Sequence, residues 1–202
     1  MKKAEEGDHF DWIVSGNHSA RRLAIDGPLL VSNRRFGDNR GYFVETYNER
    51  DFAAIGILER FVQDNHSYSA ERGTIRGLHF QIPPQAQAKL VRVVRGAVLD
   101  IVVDIRRSSS TFGKHVAVEL TAHNGLQLFV PVGFAHGFCT LEPETEVAYK
   151  VTEFYNPELE RSIAWDDPDL ALPWPVSKEN AVLSEKDRRA PRLQDCDLKE
   201  IF

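Results

Sequence analysis

Arg76, His79 and Lys89 are cationic or titratable side chains set within or beside two strongly apolar runs, Thr74–Gln81 and Lys89–Arg95. Burying an unpaired charge is costly, so a core strand has no use for such groups and their presence points to a polar ligand. Histidine titrates near neutral pH and suits a general base. A lysine beside it supplies positive charge for a developing oxyanion, and an arginine recognises an anion. In a regular strand Arg76 and His79, three positions apart, point to opposite faces. Gly77 between them is where a bulge would re-aim one of them, and bulges gather near active sites. Two arrangements stay open: a bulge that puts both on one face, or a regular strand with Arg76 in solvent.

A second cluster follows. The segment Pro131–Phe138 carries a Pro-x-Gly-x-x-His pattern ending at His136, the second half of a cupin signature in which the histidine often binds metal. The first half needs two closely spaced histidines and a carboxylate, and this chain offers only His79 there, a poor metal site. In Glu146–Phe154, alternation places Val147, Tyr149 and Val151 on one face. Tyr149 on an apolar face is either core or, in a barrel that holds a ligand, an inward phenol able to give a proton. A catalytic histidine needs a carboxylate to orient it. Asp100, Asp104 and Asp187 are the candidates, and spacing does not choose among them.

The elements that must hold these residues are strands. Runs rich in Val, Ile, Phe and Tyr recur between Gly, Pro, Asn and Ser signals at 29–34, 42–47, 61–69, 74–81, 89–95, 97–105, 115–121, 127–131, 137–141 and 146–154. Leu99, Ile101, Val103 and Ile105 alternate with Asp100, Val102, Asp104 and Arg106, as in a strand with one apolar face. The expected fold is an all-β jelly-roll barrel or sandwich with few short helices and an irregular C-terminal wrap. Asn48 caps a helix over 49–55 stopped by Gly56, and Ser184 caps a turn beginning at Glu185. Residues 1–21 are polar and aperiodic and read as an extension, with a single domain over 22–202.

Composition narrows the function. With 202 residues, 42% hydrophobic and a formal charge of -5, the chain suits one soluble domain and not a general nucleic-acid binder. No apolar run reaches the roughly 20 residues of a membrane span. The N-terminus lacks the apolar segment of a secretory signal. Cys139 and Cys196 are expected to be reduced thiols in the cytoplasm.

From about Phe36 to Leu193 the chain resembles the dTDP-4-dehydrorhamnose 3,5-epimerases. The resemblance rests on the segments 36–45, 61–67, 76–81, 89–92, 104–106, 111–114 and 131–138. It continues through Tyr149-Lys150, Tyr155-Asn156-Pro157, Trp165-Asp166-Asp167 and 183–187. It implies a metal-free, cofactor-free cupin-type barrel acting as a homodimer on dTDP-4-dehydro-6-deoxy-D-glucose, with inversion at carbons 3 and 5. His79 matches the base, Tyr149 the acid, Lys89 the cation near the carbonyl oxygen, and Asp187 the partner of the catalytic histidine. Arg40, Glu45, Gln63, Asp64, Asn65, Arg76, His136, Glu160 and Lys186 are then expected on the nucleotide diphosphate or sugar. Phe154 stands where the family often has tyrosine stacked on thymine, which keeps the ring face and loses the hydroxyl. A relative that inverts a single carbon is the runner-up. A ketoisomerase is disfavoured by the presence of both His79 and Tyr149, a metal-dependent cupin oxygenase by the missing ligands, and a non-catalytic binding barrel by the base and acid together.

Overall fold

The computed structural model describes residues 11–196. The first strands are β1 (Ile13–Ser15), β2 (His18–Arg22), β3 (Leu29–Asn33), β4 (Arg35–Asp38) and β5 (Gly41–Val44), followed by helix α1 (Glu49–Ala54). Next come β6 (Gln63–Ser69), β7 (Ile75–Gln81), β8 (Lys89–Arg95), β9 (Ala97–Asp104) and β10 (His115–Thr121). The sheets are completed by β11 (Gln127–Val130), β12 (Phe134–Thr140), β13 (Thr145–Val151) and β14 (Glu160–Ser162), and α2 (Glu185–Arg188) lies in the C-terminal wrap.

Two antiparallel sheets form a cupin-type jelly roll. The larger runs β1-β2-β3-β11-β8-β13-β6 and the smaller β10-β9-β12-β7-β14. Val91, Val93, Leu128, Val130 and Val147 of the larger sheet meet Val98, Val102, Leu120, Phe134 and Phe138 of the smaller in one cluster. Each such side chain contributes about 1.5–3 kcal/mol when fully buried. This core fills one end of the roll and leaves the other to the polar residues.

Strand β9 differs from the expected single apolar face. Leu99, Ile101, Val103 and Ile105 pack outward under the C-terminal wrap with Ile163, Leu170 and Leu193. The other row, with Val98, Val102 and a fully buried Asp100, points between the sheets. Both faces are covered, so the acidic residues on the second row lie inside the protein.

Helix α1 forms as expected, with the Asn48 side chain accepting from the Arg50 and Asp51 amides. Its Phe52 packs on the outer face of the larger sheet against Val31, Leu90 and Phe129. Gly56, at φ +98°, ends the segment in a conformation that favours glycine.

The N-terminal boundary needs correction. Residues 1–10 of the expected extension lie outside the described residues, but β1 and β2 are sheet, with β2 paired to β3 from His18↔Asn33 to Arg22↔Leu29. Period-two burial is present there, with His18 and Ala20 inside and Ser19 and Arg21 partly exposed. A histidine and an alanine on the buried face hide the pattern, because neither reads as apolar strand. Strands β4 and β14 were likewise not anticipated, and β12 starts at Phe134 instead of Gly137.

Candidate active site

The site begins with an irregularity in β7. Across to β12, His79 pairs with His136 and Arg76 with Phe138, so Gly77 and Leu78 together oppose Gly137. That extra residue turns Arg76 and His79 to the same side, and both line one cavity of about 430 Å³. The bulged arrangement is therefore the one adopted. Gly77 sits at φ +124°, and a Cβ there would lie 2.5 Å from the Gly137 Cα and 2.7 Å from the His136 carbonyl oxygen. No side chain fits.

Asp187 is the carboxylate that meets His79, with Nε2 and Oδ1 2.6 Å apart. It arrives from the first turn of α2, whose Ser184 cap donates its hydroxyl to Asp187 Oδ2 at 2.7 Å and accepts from the Asp187 amide at 3.1 Å. Ser184 reads in the sequence only as a helix cap; its second bond, to the carboxylate, has no local signature. Burial pushes the Asp187 carboxyl up. The His79 hydrogen bond and charge, Ser184 and Lys186 together outweigh it and hold the group below its ordinary value. An ionised Asp187 accepts from Nε2–H, leaving the Nδ1 lone pair of His79 to take a proton.

The other two acids are engaged elsewhere. Asp100 lies 2.9 Å from Nε2 of the buried His136, which also lines the cavity. Asp104 pairs with Arg106 at 2.7 Å and accepts from Ser109 and Thr111.

Lys89 starts β8 and is buried, its Nζ donating to the His79 carbonyl oxygen at 3.1 Å. Burial pulls its pKa down to about 8; the charges of Asp100 and Glu160 oppose the fall and Lys186 adds to it. The group stays cationic at neutral pH. Tyr149, on β13 of the facing sheet, also lines the cavity. Burial raises its pKa, Arg76 opposes the rise and Glu160 adds to it.

Glu160 and Lys186 form an ion pair at 2.5 Å, and the Tyr155 hydroxyl donates to Glu160 at 2.9 Å. Both charges act on Lys89, so they belong to the surroundings of the same cavity. Gln63 and Asn65 are bonded to each other at 2.9 Å on β6, directly opposite Val151 and Tyr149 and hence on the face of Tyr149. Ser67, two positions further along that row, lines the cavity and was not among the expected residues. Phe154 is 60% exposed, and its carbonyl accepts from Gln81.

Three expected residues are not brought together with the rest. Asp64 pairs with Lys150 at 2.8 Å, opposite Lys150 in register and so on the other face of the sheet from Tyr149. Arg40 is exposed at the tip of the β4–β5 hairpin, bonded to Asp38. Glu45 lies beyond the end of β5 against His18 and Asn48. None of the three lines the cavity, and neither do Gln63, Asn65, Phe154, Glu160 or Lys186, which stand around it.

A family model described as dTDP-4-dehydrorhamnose 3,5-epimerase matches residues 22–195. The chain belongs to that family. A dTDP-4-dehydrorhamnose 3,5-epimerase of Pseudomonas aeruginosa is 51% identical over 179 residues, covering 88% of this chain and 97% of the relative. The crystal structure of the Bacillus anthracis 3,5-epimerase with TDP and PPi bound superposes with a TM-score of 0.84. It is 48% identical and covers 87% of this chain and 99% of that one. A Legionella pneumophila dTDP-6-deoxy-D-glucose-3,5-epimerase, in complex with dTDP-4-keto-L-rhamnose, has a TM-score of 0.85. It is 42% identical, covering 89% and 95%. The chain is thus an isomerase of the epimerase family. Among the described residues no helix is long and apolar enough to cross a membrane.

Proposed function

We propose that the chain converts dTDP-4-dehydro-6-deoxy-D-glucose to dTDP-4-dehydro-L-rhamnose by inverting carbons 5 and 3 through proton removal and return. One observation carries this reading. His79 and Tyr149 line a single cavity from the two facing sheets, so a base and an acid reach a bound sugar ring from opposite sides. Inversion requires that placement. The 4-keto group acidifies the hydrogens on the adjoining carbons. His79 Nδ1 takes the proton from carbon 5, the C–H electron pair moves into the enolate, and the charge settles on the carbonyl oxygen beside the Lys89 ammonium. Tyr149 then gives its proton to the opposite face of that carbon and the ketone re-forms. His79 and Tyr149 return to their starting states through solvent, and the sequence repeats at carbon 3. No metal or cofactor enters, since base, acid and cation are all side chains.

Arg76 and Lys186 supply positive charge for the diphosphate, while His136, Gln63, Asn65 and Glu160 offer polar contacts to sugar and nucleotide. Exposed Phe154 offers a ring face to the base. Arg40 and Glu45 enter this reading through a homodimer. The β4–β5 hairpin bears Phe36, Tyr42 and Phe43 at 40%, 60% and 69% exposure, an apolar surface suited to a second copy. The unpaired cysteines fit residence in the cytoplasm.

Incubation with the 4-keto-6-deoxy sugar nucleotide in heavy water, followed by NMR, tests the proposal. Deuterium at both carbons with inverted configuration is expected. Label at carbon 3 alone would establish a single-carbon epimerase, and no exchange would overturn both readings. His79→Ala should abolish exchange. Tyr149→Phe should retain exchange while net inversion drops by about 10²-fold or more.

A further inference from the structure

Backbone pairing at the end of β13 stops at Thr152, whose amide donates to the Ala88 carbonyl. The loop from Glu153 to Asn156 carries the exposed ring of Phe154, and glutamine side chains meet its backbone groups. Gln87 Nε2 donates to the Glu153 carbonyl at 2.8 Å, and Gln63 Oε1 accepts from the Tyr155 amide at 3.1 Å. Gln81 makes two such bonds. Its Nε2 donates to the Phe154 carbonyl at 3.1 Å, and its Oε1 accepts from the Asn156 amide at 2.9 Å.

Gln81 stands apart from the other two by its place. It lies on β7, two positions after His79 and so on the same face of the strand, and it is only 3% exposed. Its Nε2 also donates to the Gln85 carbonyl, so both amide hydrogens and the oxygen are in use. Gln85 closes the circuit, its Oε1 accepting from Asn156 Nδ2 at 2.8 Å. Turning the Gln81 amide over would set its oxygen against two carbonyls, so it holds one orientation. A satisfied buried polar network of this kind is rigid.

We infer that Gln81 is a positioning residue for substrate binding: it fastens the loop that bears Phe154 to the strand that bears His79. This rests on the functional reading above, in which Phe154 meets the thymine. A nucleotide sugar has to reach from the Phe154 ring to the His79 imidazole, and both ends of that span need one rigid reference. Strand β7 supplies it. A ring on an untethered loop would lose binding energy to the ordering of that loop.

The test titrates dTDP, the nucleotide without the sugar, into the unmodified protein and its variants by calorimetry, with steady-state kinetics and thermal melts in parallel. Gln81→Met keeps an unbranched side chain of similar length and removes every bond described above. It should weaken dTDP binding about 5–10-fold and raise KM by a similar factor, with the smaller part of the loss in kcat. Phe154→Ala should weaken dTDP binding about 5–100-fold. Added to Phe154→Ala, Gln81→Met should cost less than about twofold more, because it acts through that ring. A merely structural role would make the two losses multiply in the double variant, and that result overturns the proposal. Undiminished dTDP binding in Gln81→Met overturns it as well and leaves the functional reading standing. Failure of the unmodified protein to bind dTDP would overturn both. Should Gln81→Met not fold, Gln85→Ala decides, since that residue is half-buried on a loop and its loss opens the circuit at Asn156. It should weaken dTDP binding about 2–10-fold, and undiminished binding there overturns the proposal.

Discussion

His79 and Asp187 are 108 positions apart in sequence, and their Nε2 and Oδ1 atoms are hydrogen-bonded at 2.6 Å. Asp187→Asn would turn the hydrogen bond around and present the wrong histidine tautomer, so kcat should fall by about 10²–10⁴ while substrate binding is kept. The same pair affects acid stability. The folded Asp187 pKa lies below its ordinary 3.8, so its contribution is fully present above that value and is lost as pH falls through the lower folded value. Thermal melts should therefore show the gap between the unmodified protein and Asp187→Asn closing in that acid range. Lys89 carries the opposite sign. Its pKa falls from 10.5 to about 8 on burial, so the folded state is penalised below pH 8 and relieved as pH rises toward 10.5. Lys89→Met should unfold at higher denaturant than the unmodified protein at pH 7, with an unfolding free energy larger by on the order of a few kcal/mol. It should also lose about 10²–10³-fold in kcat through the missing oxyanion partner. An alkaline limb of kcat near pH 8 should disappear with it.

The bulge in β7 matters more to the site than any regular strand. It alone lets residues three positions apart share a face, and Gly77 can hold it because nothing projects toward Gly137. Gly77→Ala should cost ~2 kcal/mol or more in denaturant unfolding and lower activity further than stability alone explains, as Arg76 and His79 separate. The strand pattern and both helix caps were legible, because alternation and capping are local. The two-sided burial of β9 was not. Its outer cover, Ile163, Leu170 and Leu193, comes from a wrap whose course no local period describes.

At the scale of the molecule, the hairpin from Arg35 to Val44 projects aromatic residues and Arg40 that find no place in their own cavity. Sedimentation should give a mass of two chains, with Phe43→Asp shifting it toward one. Activity at low protein concentration should fall with the dimer. A monomeric, fully active unmodified protein would remove Arg40 and Glu45 from the substrate-binding set.

The sequence by itself determined a β-barrel of short strands, two capped helical turns and a polar cluster misplaced on apolar strands. Alternation, turn residues and motif order are all properties of neighbours along the chain. Motif order over most of the length also carried the family. Only the tertiary structure decided that Arg76 and His79 share a face and that Asp64 points away. Among the acids, spacing left Asp100, Asp104 and Asp187 open, the family motif singled out Asp187, and the structure puts it 2.6 Å from His79. It also drew β1 and β2 into the sheet. Those outcomes depend on which segments lie side by side across the barrel, and register between distant strands is set by packing that no single stretch contains.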